Sequence, residues 1–370
     1  MLREFDETEQ MLADTVTKLL DTEKPIADLR ATLYGAAGRS RIQEKLTEAG
    51  MCGVLVPEDS GGAGLGLRSA GLIAETLGGV LAMDELIFGS YVPSVLLNSL
   101  APSGTIAECL THIASGRRLV LADDESAGVC FGQPADLVIE DHSGSLSMHG
   151  RKCIVPSGDG YLVTGRIGGE PAIVLVEHAH APVTGEYRMS DGSRTLSFEF
   201  AGYVPGARVI AAGNACSQAL ATTRTAGLLL ISSRLEAIAR TALSRTIDFL
   251  KQRKQFGVAL SDFQALRHRV GEMAIQIELA SASLQHAIER YEDNVQTAEA
   301  AASAAKARWS RVALDTAQEA VHLHGAFGYC VEADIGFYLN SALRWSSVWG
   351  DEQLHRRLFG QAVNLDKLAA

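Results

Sequence analysis

The sequence predicts an α+β protein in three parts: an N-terminal helical domain over residues 1–117, a middle antiparallel β-barrel or sandwich over 118–212, and a C-terminal four-helix bundle over 213–370. Two observations predict this order. Apolar residues recur with a helical period at both ends of the chain, and short β-type runs with glycine turns fill the middle. A chain of 370 residues is long enough for two or three packed domains.

Composition excludes several classes of protein. The chain carries 33 Lys and Arg against 44 Asp and Glu, interspersed, for a net charge of −11, whereas a nucleic-acid binder normally has a basic face. No apolar run approaches the roughly 20 residues that span a bilayer, and the first residues lack the pattern of a signal peptide. The six cysteines lie far apart without a CxxC pair, so we expect reduced thiols, no metal site and a cytoplasmic protein.

Helices are predicted in the first part wherever apolar residues recur every three to four positions. This pattern covers Met11 to Leu20, Leu46 to Met51, and Gly71 to Leu77, with Gly78 and Gly79 as a stop signal. The glycine-rich stretch from Gly61 to Gly66 predicts a loop rather than a phosphate cradle, because no Lys-Ser/Thr pair follows it.

Strands are predicted in the middle part as short apolar runs separated by turns. The runs are Leu119–Ala122, Leu137–Glu140, Ser145–His149, Tyr161–Thr164, Ala172–Glu177 and Thr195–Phe200.

The last part predicts long helices joined by short loops, which is typical of a bundle. Their expected ranges are Ala219–Arg253, Ser261–Tyr291, Val295–His324 and Asp334–Leu343.

A basic and aromatic stretch lies between the first two of these helices. Phe249-Leu-Lys-Gln-Arg-Lys-Gln-Phe-Gly257 ends one helix, and the next begins near Ser261 or Asp262, either of which is a suitable N-cap. An Arg, an aromatic ring and a Gln amide at this turn could hold a pyrophosphate and a flat ring system. A basic helix end that complements the helix dipole is the competing interpretation.

Three motifs in order resemble the acyl-CoA dehydrogenase family, and the resemblance spans nearly the whole chain. Arg253-Lys-Gln-Phe-Gly257 with Phe263-Gln264 resembles the family's Arg-x-x-Phe-Gly … Phe-Gln signature. The stretch from Gly50 to Gly66 resembles its Gly-x-x-Gly … Pro-Glu-x-x-Gly-Gly-x-Gly segment. His322-Leu-His-Gly-Ala-Phe-Gly-Tyr329 resembles its Gln-x-x-Gly-Gly-x-Gly-Phe/Tyr segment, with His and Ala in place of Gln and the second Gly.

The resemblance implies FAD as cofactor and an acyl-CoA thioester as substrate. In the family a carboxylate takes the α-proton while the flavin accepts the β-hydride, which an electron-transfer flavoprotein or similar acceptor then receives. Some cofactor contacts reach the FAD of a neighbouring subunit. The implied substrate-binding residue is Gly350, and the implied cofactor-binding residues are Arg253, Phe256, Gln264, His322, Gly325, Ala326 and Gln353.

Both positions that carry the family's catalytic carboxylate lack one here. The register of the last motif places Trp349 at the usual position, and counting back from Arg253 places Gly227 at the alternative one. Asp351 is a weak candidate for a displaced base. Glu236 lies nine residues beyond Gly227, about half a turn around the helix, and faces away.

The residues expected around the chain's own flavin also depart from the family pattern. The family's Gly-rich flavin loop corresponds to the stretch from Leu121 to Gly128, which lacks the Pro-Gly-x-Gly-Ser-Asp sequence. Ile154 replaces a flavin-covering Trp, and Pro156 replaces a Thr and removes both a hydroxyl and an N–H donor.

The residues expected to contact a neighbour's flavin are present, whereas the base and the residues expected around the chain's own flavin are not. This combination resembles one of the two unlike subunits in the α2β2 enzymes of bacterial steroid side-chain catabolism. We therefore expect a base-lacking subunit that needs an unlike partner. Two alternatives stay open: a self-sufficient homotetramer whose displaced base is Asp351, and a non-redox acyl-CoA-binding or hydratase-like homologue.

Overall fold

A computed structural model describes residues 7–23, 25–34, 41–82, 85–126, 132 and 135–363. Contacts divide the chain into two compact units. The bundle unit comprises residues 1–39, 71–83 and 228–370, and the sheet unit comprises residues 40–70 and 84–227. This division follows contacts alone, so the domain limits at 117 and 212 stay predictions.

Eleven α-helices occur in the described ranges. They are α1 Glu7–Glu23, α2 Pro25–Tyr34, α3 Arg41–Glu48, α4 Leu67–Gly79, α5 Val92–Asn98, α6 Gly104–Ala114, α7 Asn214–Gln252, α8 Gln264–Asp293, α9 Val295–Leu323, α10 Ile335–Ser347 and α11 Glu352–Ala362. The predicted stop at Gly78 and Gly79 is confirmed, because α4 ends there. The longest helix, α7, spans about 58 Å at 1.5 Å per residue and runs through both units.

The strands are β1 Leu119–Ala122, β2 Val138–His142, β3 Ser145–Pro156, β4 Gly160–Ile167, β5 Glu170–Glu177, β6 Val183–Arg188, β7 Arg194–Tyr203, β8 Arg208–Ala212, β9 Lys254–Gln255 and β10 Val258–Ala259. The first eight form one sheet in the order β6-β7-β3-β2-β4-β5-β8, and β1 also pairs with β4. All six predicted runs are strands, and most pairings are antiparallel as predicted. The β1–β4 and β2–β4 pairings are parallel, so the sheet is mixed rather than purely antiparallel.

One apolar cluster forms the core of the sheet unit. It draws buried side chains from successive strands, among them Val120, Ile139, Met148, Val174 and Phe198. Side chains alternate across the faces of a strand, so one face of each strand supplies this core.

In the bundle unit, α9 packs against α8, α10 and α11. Its first half is rich in alanine, and Ala298, Ala302 and Ala305 are fully buried. Small side chains let neighbouring helices approach closely, as the sequence predicts. No helix of the described chain combines the length and apolar character needed to cross a membrane.

Candidate functional site

The basic and aromatic stretch forms a two-residue hairpin between α7 and α8. Strand β9 pairs with β10, and Phe256 and Gly257 between them have φ angles of 54° and 85°. Two successive left-handed residues make a type I′ turn, which suits the twist of a hairpin. The turn leaves 93% of the Phe256 side chain exposed, with its ring edge-on to that of Phe263.

The predicted N-cap of α8 is wrong. The helix begins at Gln264, and its N-cap residue is Phe263. The Asp262 carboxylate instead accepts a hydrogen bond from the main-chain N–H of Ala259 at 3.2 Å and so stabilises the turn before the helix. The Asp262 carboxylate therefore binds a main-chain N–H that precedes it in the sequence, and not an N–H in the first turn of α8.

The charged and polar groups of this hairpin face outward. The Arg253 and Gln264 side chains are exposed. Across the described ranges, no carboxylate forms an ion pair with the Arg253 guanidinium. An exposed, unpaired guanidinium beside an exposed ring can bind a phosphate bidentately, since its N–H groups match the oxygen geometry of that anion.

His322 lies near the end of α9, where Arg269 of α8 fixes its ring. Arg269 donates to His322 Nδ1 at 3.0 Å and pairs with the Glu319 carboxylate. Because a guanidinium is a donor only, Nδ1 accepts, and a neutral His322 ring carries its proton on Nε2. The exposed His322 side chain therefore presents an N–H donor, as an amide of Gln would.

Gly325 and Ala326 follow His322 in a short 3₁₀ turn over Gly325–Tyr329. Gly325 has a φ of +63°, and a Cβ built there would meet nothing within 4 Å. Both residues are exposed. The turn therefore leaves open space through which another molecule could approach the main chain.

The turn between α10 and α11 carries both Trp349 and Gly350. Both have left-handed backbones, with φ angles of 54° and 106°. Such a φ is uncommon for a bulky side chain. A Cβ on Gly350 would lie 2.5 Å from Leu354 and 2.8 Å from His355, so only glycine fits there.

Buried side chains hold the main-chain oxygens of this turn. Lys306 of α9 is fully buried and donates to the carbonyls of Ser346 and Gly350, each at 2.9 Å, and to Ser310 Oγ at 2.8 Å. Burial lowers the pKa of Lys306 to about 7, because desolvation disfavours the charged amine; Asp351 opposes this shift and Arg344 adds to it.

His355 of α11 contacts the same turn. Its Nε2 lies 2.8 Å from the main-chain oxygen of Trp349. Burial, aided by the charge of Lys306, lowers the pKa of His355 to about 4. The ring is therefore neutral at physiological pH, and Nε2 donates the hydrogen bond to Trp349.

The two carboxylates that the sequence offers as replacement bases both have structural partners. The Asp351 side chain is exposed and caps α11, since its Oδ1 accepts from the Leu354 N–H at 2.9 Å. Glu236 is buried and accepts from Arg240 at 2.8 Å and Ser281 at 2.7 Å. Gln353 is exposed on α11, and Gly227 is buried within α7.

In the sheet unit, a polar network fills the segment that follows β1. Arg224 of α7 donates two hydrogen bonds, at 3.0 and 2.7 Å, to Asp123 Oδ2, and Thr164 donates to Asp123 Oδ1 at 2.9 Å. The fully buried Lys152 pairs with Glu125 at 2.7 Å and donates to Thr164 at 2.9 Å. The far end of this segment, Gly128 included, lies outside the described residues.

Strand β3 is irregular opposite this network. Its pairing with β7 shifts register between Lys152 and Val155, and Ile154 has a φ of +55°. A β-branched residue with a left-handed backbone is a true outlier, and bulges of this kind often lie beside functional sites. Pro156 ends the strand.

Sequence reasoning missed Lys306 and Asp123. The signal for Lys306 was its helical spacing with Ala302 and Ser310, which places a lone lysine on a buried face.

The described cysteines are free thiols, and Cys130 lies outside the described residues. Among the described residues, no three His, Cys, Asp or Glu side chains group so as to hold a metal ion.

Comparisons with known proteins agree with this layout. A model of the "Acyl-CoA dehydrogenase, N-terminal domain" matches residues 6–115, and one of the "Acyl-CoA dehydrogenase, C-terminal domain" matches residues 218–363. The acyl-CoA dehydrogenase IpdE2 of Mycobacterium tuberculosis is 26% identical over 341 residues, 91% of each chain.

Solved structures share the fold. The Tcur3481-Tcur3483 steroid ACAD is 24% identical with a TM-score of 0.86, over 98% of this chain and 99% of that one. The ChsE4-ChsE5 complex from Mycobacterium tuberculosis is 20% identical with a TM-score of 0.85, over 98% of each chain.

Proposed function

This chain belongs to the acyl-CoA dehydrogenase family, and from that premise we propose that it is the base-lacking subunit of a heteromeric, FAD-dependent acyl-CoA dehydrogenase. The reaction is α,β-dehydrogenation of an acyl-CoA thioester. One observation carries the proposal: Arg253 is exposed and has no ion-pair partner among the described residues, and the turn at Gly325 is open, whereas the positions expected for the base hold Trp349 and Gly227.

The exposed side chains of the hairpin between α7 and α8 and of the turn after α9 have the chemistry needed to bind FAD. The Arg253 guanidinium can neutralise a pyrophosphate, and the His322 Nε2–H can donate to a ribose or phosphate oxygen. The small residues Gly325 and Ala326 allow close approach of the main chain. Phe256 and Gln264 supply a ring and an amide on the same hairpin. We call these six residues the lending surface, because they would serve the FAD of a neighbouring subunit.

The segment of the sheet unit that would hold the chain's own flavin does not fit that group. In the described part of this segment, the carboxylates of Asp123 and Glu125 have internal cationic partners, Arg224 and Lys152. Carboxylates repel a pyrophosphate, and Pro156 has no N–H to offer. We therefore assign no cofactor contact to this segment.

When FAD is bound, it supplies the hydride acceptor of the reaction. The residues of this chain bind and orient that cofactor, while the partner subunit supplies the carboxylate that removes the α-proton. Gly350 keeps its implied role in substrate binding, and Gln353 its role as a cofactor contact. An electron-transfer flavoprotein or similar acceptor completes the turnover.

We propose steroid side-chain CoA esters as the substrate class. The support is the name of one structural neighbour, a steroid ACAD, together with the heteromeric character of that protein and of ChsE4-ChsE5. No residue described above recognises a sterol, so a panel of acyl-CoA esters of different bulk must test this assignment.

The proposal is tested by expressing the chain alone and together with each unlike acyl-CoA dehydrogenase subunit encoded in the same genome. Dye reduction with acyl-CoA esters measures turnover, and absorbance near 450 nm measures flavin. We expect a yellow, active complex and an inactive single chain. Full turnover by the chain alone contradicts the partner requirement, and a colourless complex favours the non-redox alternative.

A further inference from the structure

Helix α8 has apolar residues on two opposite faces. The helix packs on α9, and its buried side chains include Met273, Ile277 and Leu284. On the other side, Ile275 is 59% exposed and Leu279 is 56% exposed. At 100° per residue, these two side chains lie roughly 160° around the helix from Ile277. A surface helix normally has one apolar face, so the second face indicates that another molecule covers it.

The exposed residues along this second face follow a regular period. They lie alternately four and three positions apart, and all six are exposed: His268, Glu272, Ile275, Leu279, Ala282 and His286. A mean spacing of 3.5 residues is the spacing with which two helices pack along each other. We call these six residues the outer stripe of α8.

The polar residues on either side of the apolar pair have partners within the chain. Glu278 accepts a hydrogen bond from Arg240 of α7 at 2.7 Å, and Gln276 accepts one from Arg308 of α9. A molecule that covers Ile275 and Leu279 therefore leaves neither of these groups unpaired. An apolar centre with a satisfied polar rim is the usual anatomy of a protein interface.

The outer stripe is complementary to itself when two copies of α8 run antiparallel. Its six positions are symmetric about residue 277, so Ile275 of one copy faces Leu279 of the other, and Glu272 faces the small Ala282. The Glu272 carboxylate then lies one turn from His286 of the other copy, whose imidazole N–H can donate to it. Parallel packing would place the two Glu272 carboxylates against each other, where they repel.

We propose that the outer stripe of α8 binds the outer stripe of a second copy of this chain in antiparallel orientation. A two-fold axis near residue 277 relates the two copies, and such an axis requires a surface that is complementary to itself. The lending surface serves an unlike subunit, so two unlike pairs need a further contact to form a tetramer. This role in the tetramer rests on the proposed function, whereas the contact between like chains does not.

The test measures the mass of the particle by sedimentation, for the chain alone and for its complex with the unlike subunit. Ile275→Lys and Leu279→Glu each place a charge at the centre of the contact. Both positions are exposed, so the core of the fold is not changed, and circular dichroism checks that each variant folds. Met11→Glu, at an exposed apolar position of α1, is the matched control.

We expect each stripe variant to raise the Kd between like chains roughly 100-fold or more, because two uncompensated charges enter an apolar contact. The complex should fall to half its mass, with one copy of each chain and an unchanged flavin content per pair. The control should keep the mass of the wild type.

Co-expression of the two variants under different tags tests the orientation. The introduced amine at position 275 of one copy faces the introduced carboxylate at position 279 of the other only when the helices are antiparallel. The mixed particle should therefore regain the larger mass and carry both tags.

Four results overturn the inference. They are a wild-type particle that holds one copy of this chain both alone and in the complex, an unchanged mass in both stripe variants, a mixture that does not reassociate, and release of the unlike subunit by the variants. The last result would show that α8 binds the unlike subunit instead. A wild-type tetramer that binds no FAD would count against the proposed function and leave this contact intact.

Discussion

The amine of Lys306 lies 2.9 Å from the main-chain oxygen of Gly350, so a buried lysine of one helix fixes the turn between two others. An ammonium group has three N–H donors, and Lys306 has three acceptors in reach: Ser310 Oγ and the carbonyls of Ser346 and Gly350. If the amine loses a proton, the Ser310 hydroxyl can donate to it instead. The carbonyls of the turn keep their donors in either state.

The stability of the bundle unit should rise with pH above neutrality because of Lys306. Its folded pKa of about 7 lies below its ordinary value of 10.5, so between these two values the unfolded chain binds more protons than the folded chain. The free energy of unfolding therefore increases with pH across that window, by up to about 1.4 kcal/mol per pH unit.

Urea unfolding from pH 6.5 to 9.5 measures this slope. Lys306→Met should flatten it, whereas Lys18→Met, at an exposed position of α1, should not. The same slope in Lys306→Met and wild type would show that Lys306 does not titrate in this range.

Asp351 should prove a helix cap and not a base. Asp351→Ala removes the acceptor for the Leu354 N–H and should lower the free energy of unfolding by about 1 kcal/mol. Asp351→Asn keeps a capping oxygen, so both stability and turnover of the complex should be retained. Stopped turnover in Asp351→Asn, with flavin still bound, would instead support the self-sufficient alternative.

Lys152 should be essential to the stability of the sheet unit. Lys152→Met leaves the carboxylate of Glu125 without its cationic partner in a largely buried place, which typically costs about 3–5 kcal/mol. We expect a clear fall in Tm by calorimetry. Arg208→Met breaks an exposed pair with Glu108 in the same unit and should leave the Tm nearly unchanged. Equal effects of the two changes would refute a special role for the buried network.

Arg253 should be needed for flavin retention. Arg253→Ala removes a charge-assisted contact worth about 1.5–3 kcal/mol, so FAD should bind roughly 10- to 150-fold more weakly. The flavin-to-protein absorbance ratio of the purified complex reports this loss. Arg311→Ala, which breaks exposed pairs with Asp315 and Glu352, is the control. Retention of flavin in Arg253→Ala would remove this residue from the cofactor site.

The long elements could be predicted from the sequence because their apolar residues repeat over many turns. The missed elements lack that signal. Strand β6 is largely exposed because it lies at the end of the sheet path and pairs only with β7, so no apolar run marks it. Helix α11 is short and polar and contains Gly360, a poor helix former, so its packing on α9 decides its conformation.

The candidate site could be predicted where a motif is contiguous in sequence, as at Arg253 to Gln264. The Lys306–Gly350 contact joins residues 44 positions apart, and the Arg224–Asp123 pair joins residues 101 positions apart. Neither has a local pattern, because only tertiary packing brings these groups together. The role of Asp351 depended on where α11 begins, which is the least certain part of a helix assignment.

Phe256 has a consequence for how far this chain can be stabilised. A type I′ turn favours Asn or Gly at the place Phe256 occupies, and a bulky residue with a left-handed backbone costs roughly 1 kcal/mol. An exposed ring recovers none of that cost by burial in the isolated chain. Phe256→Asn should therefore raise the free energy of unfolding of the isolated chain and weaken its association with the partner subunit. The residue at this turn then favours assembly at the expense of the stability of the isolated chain.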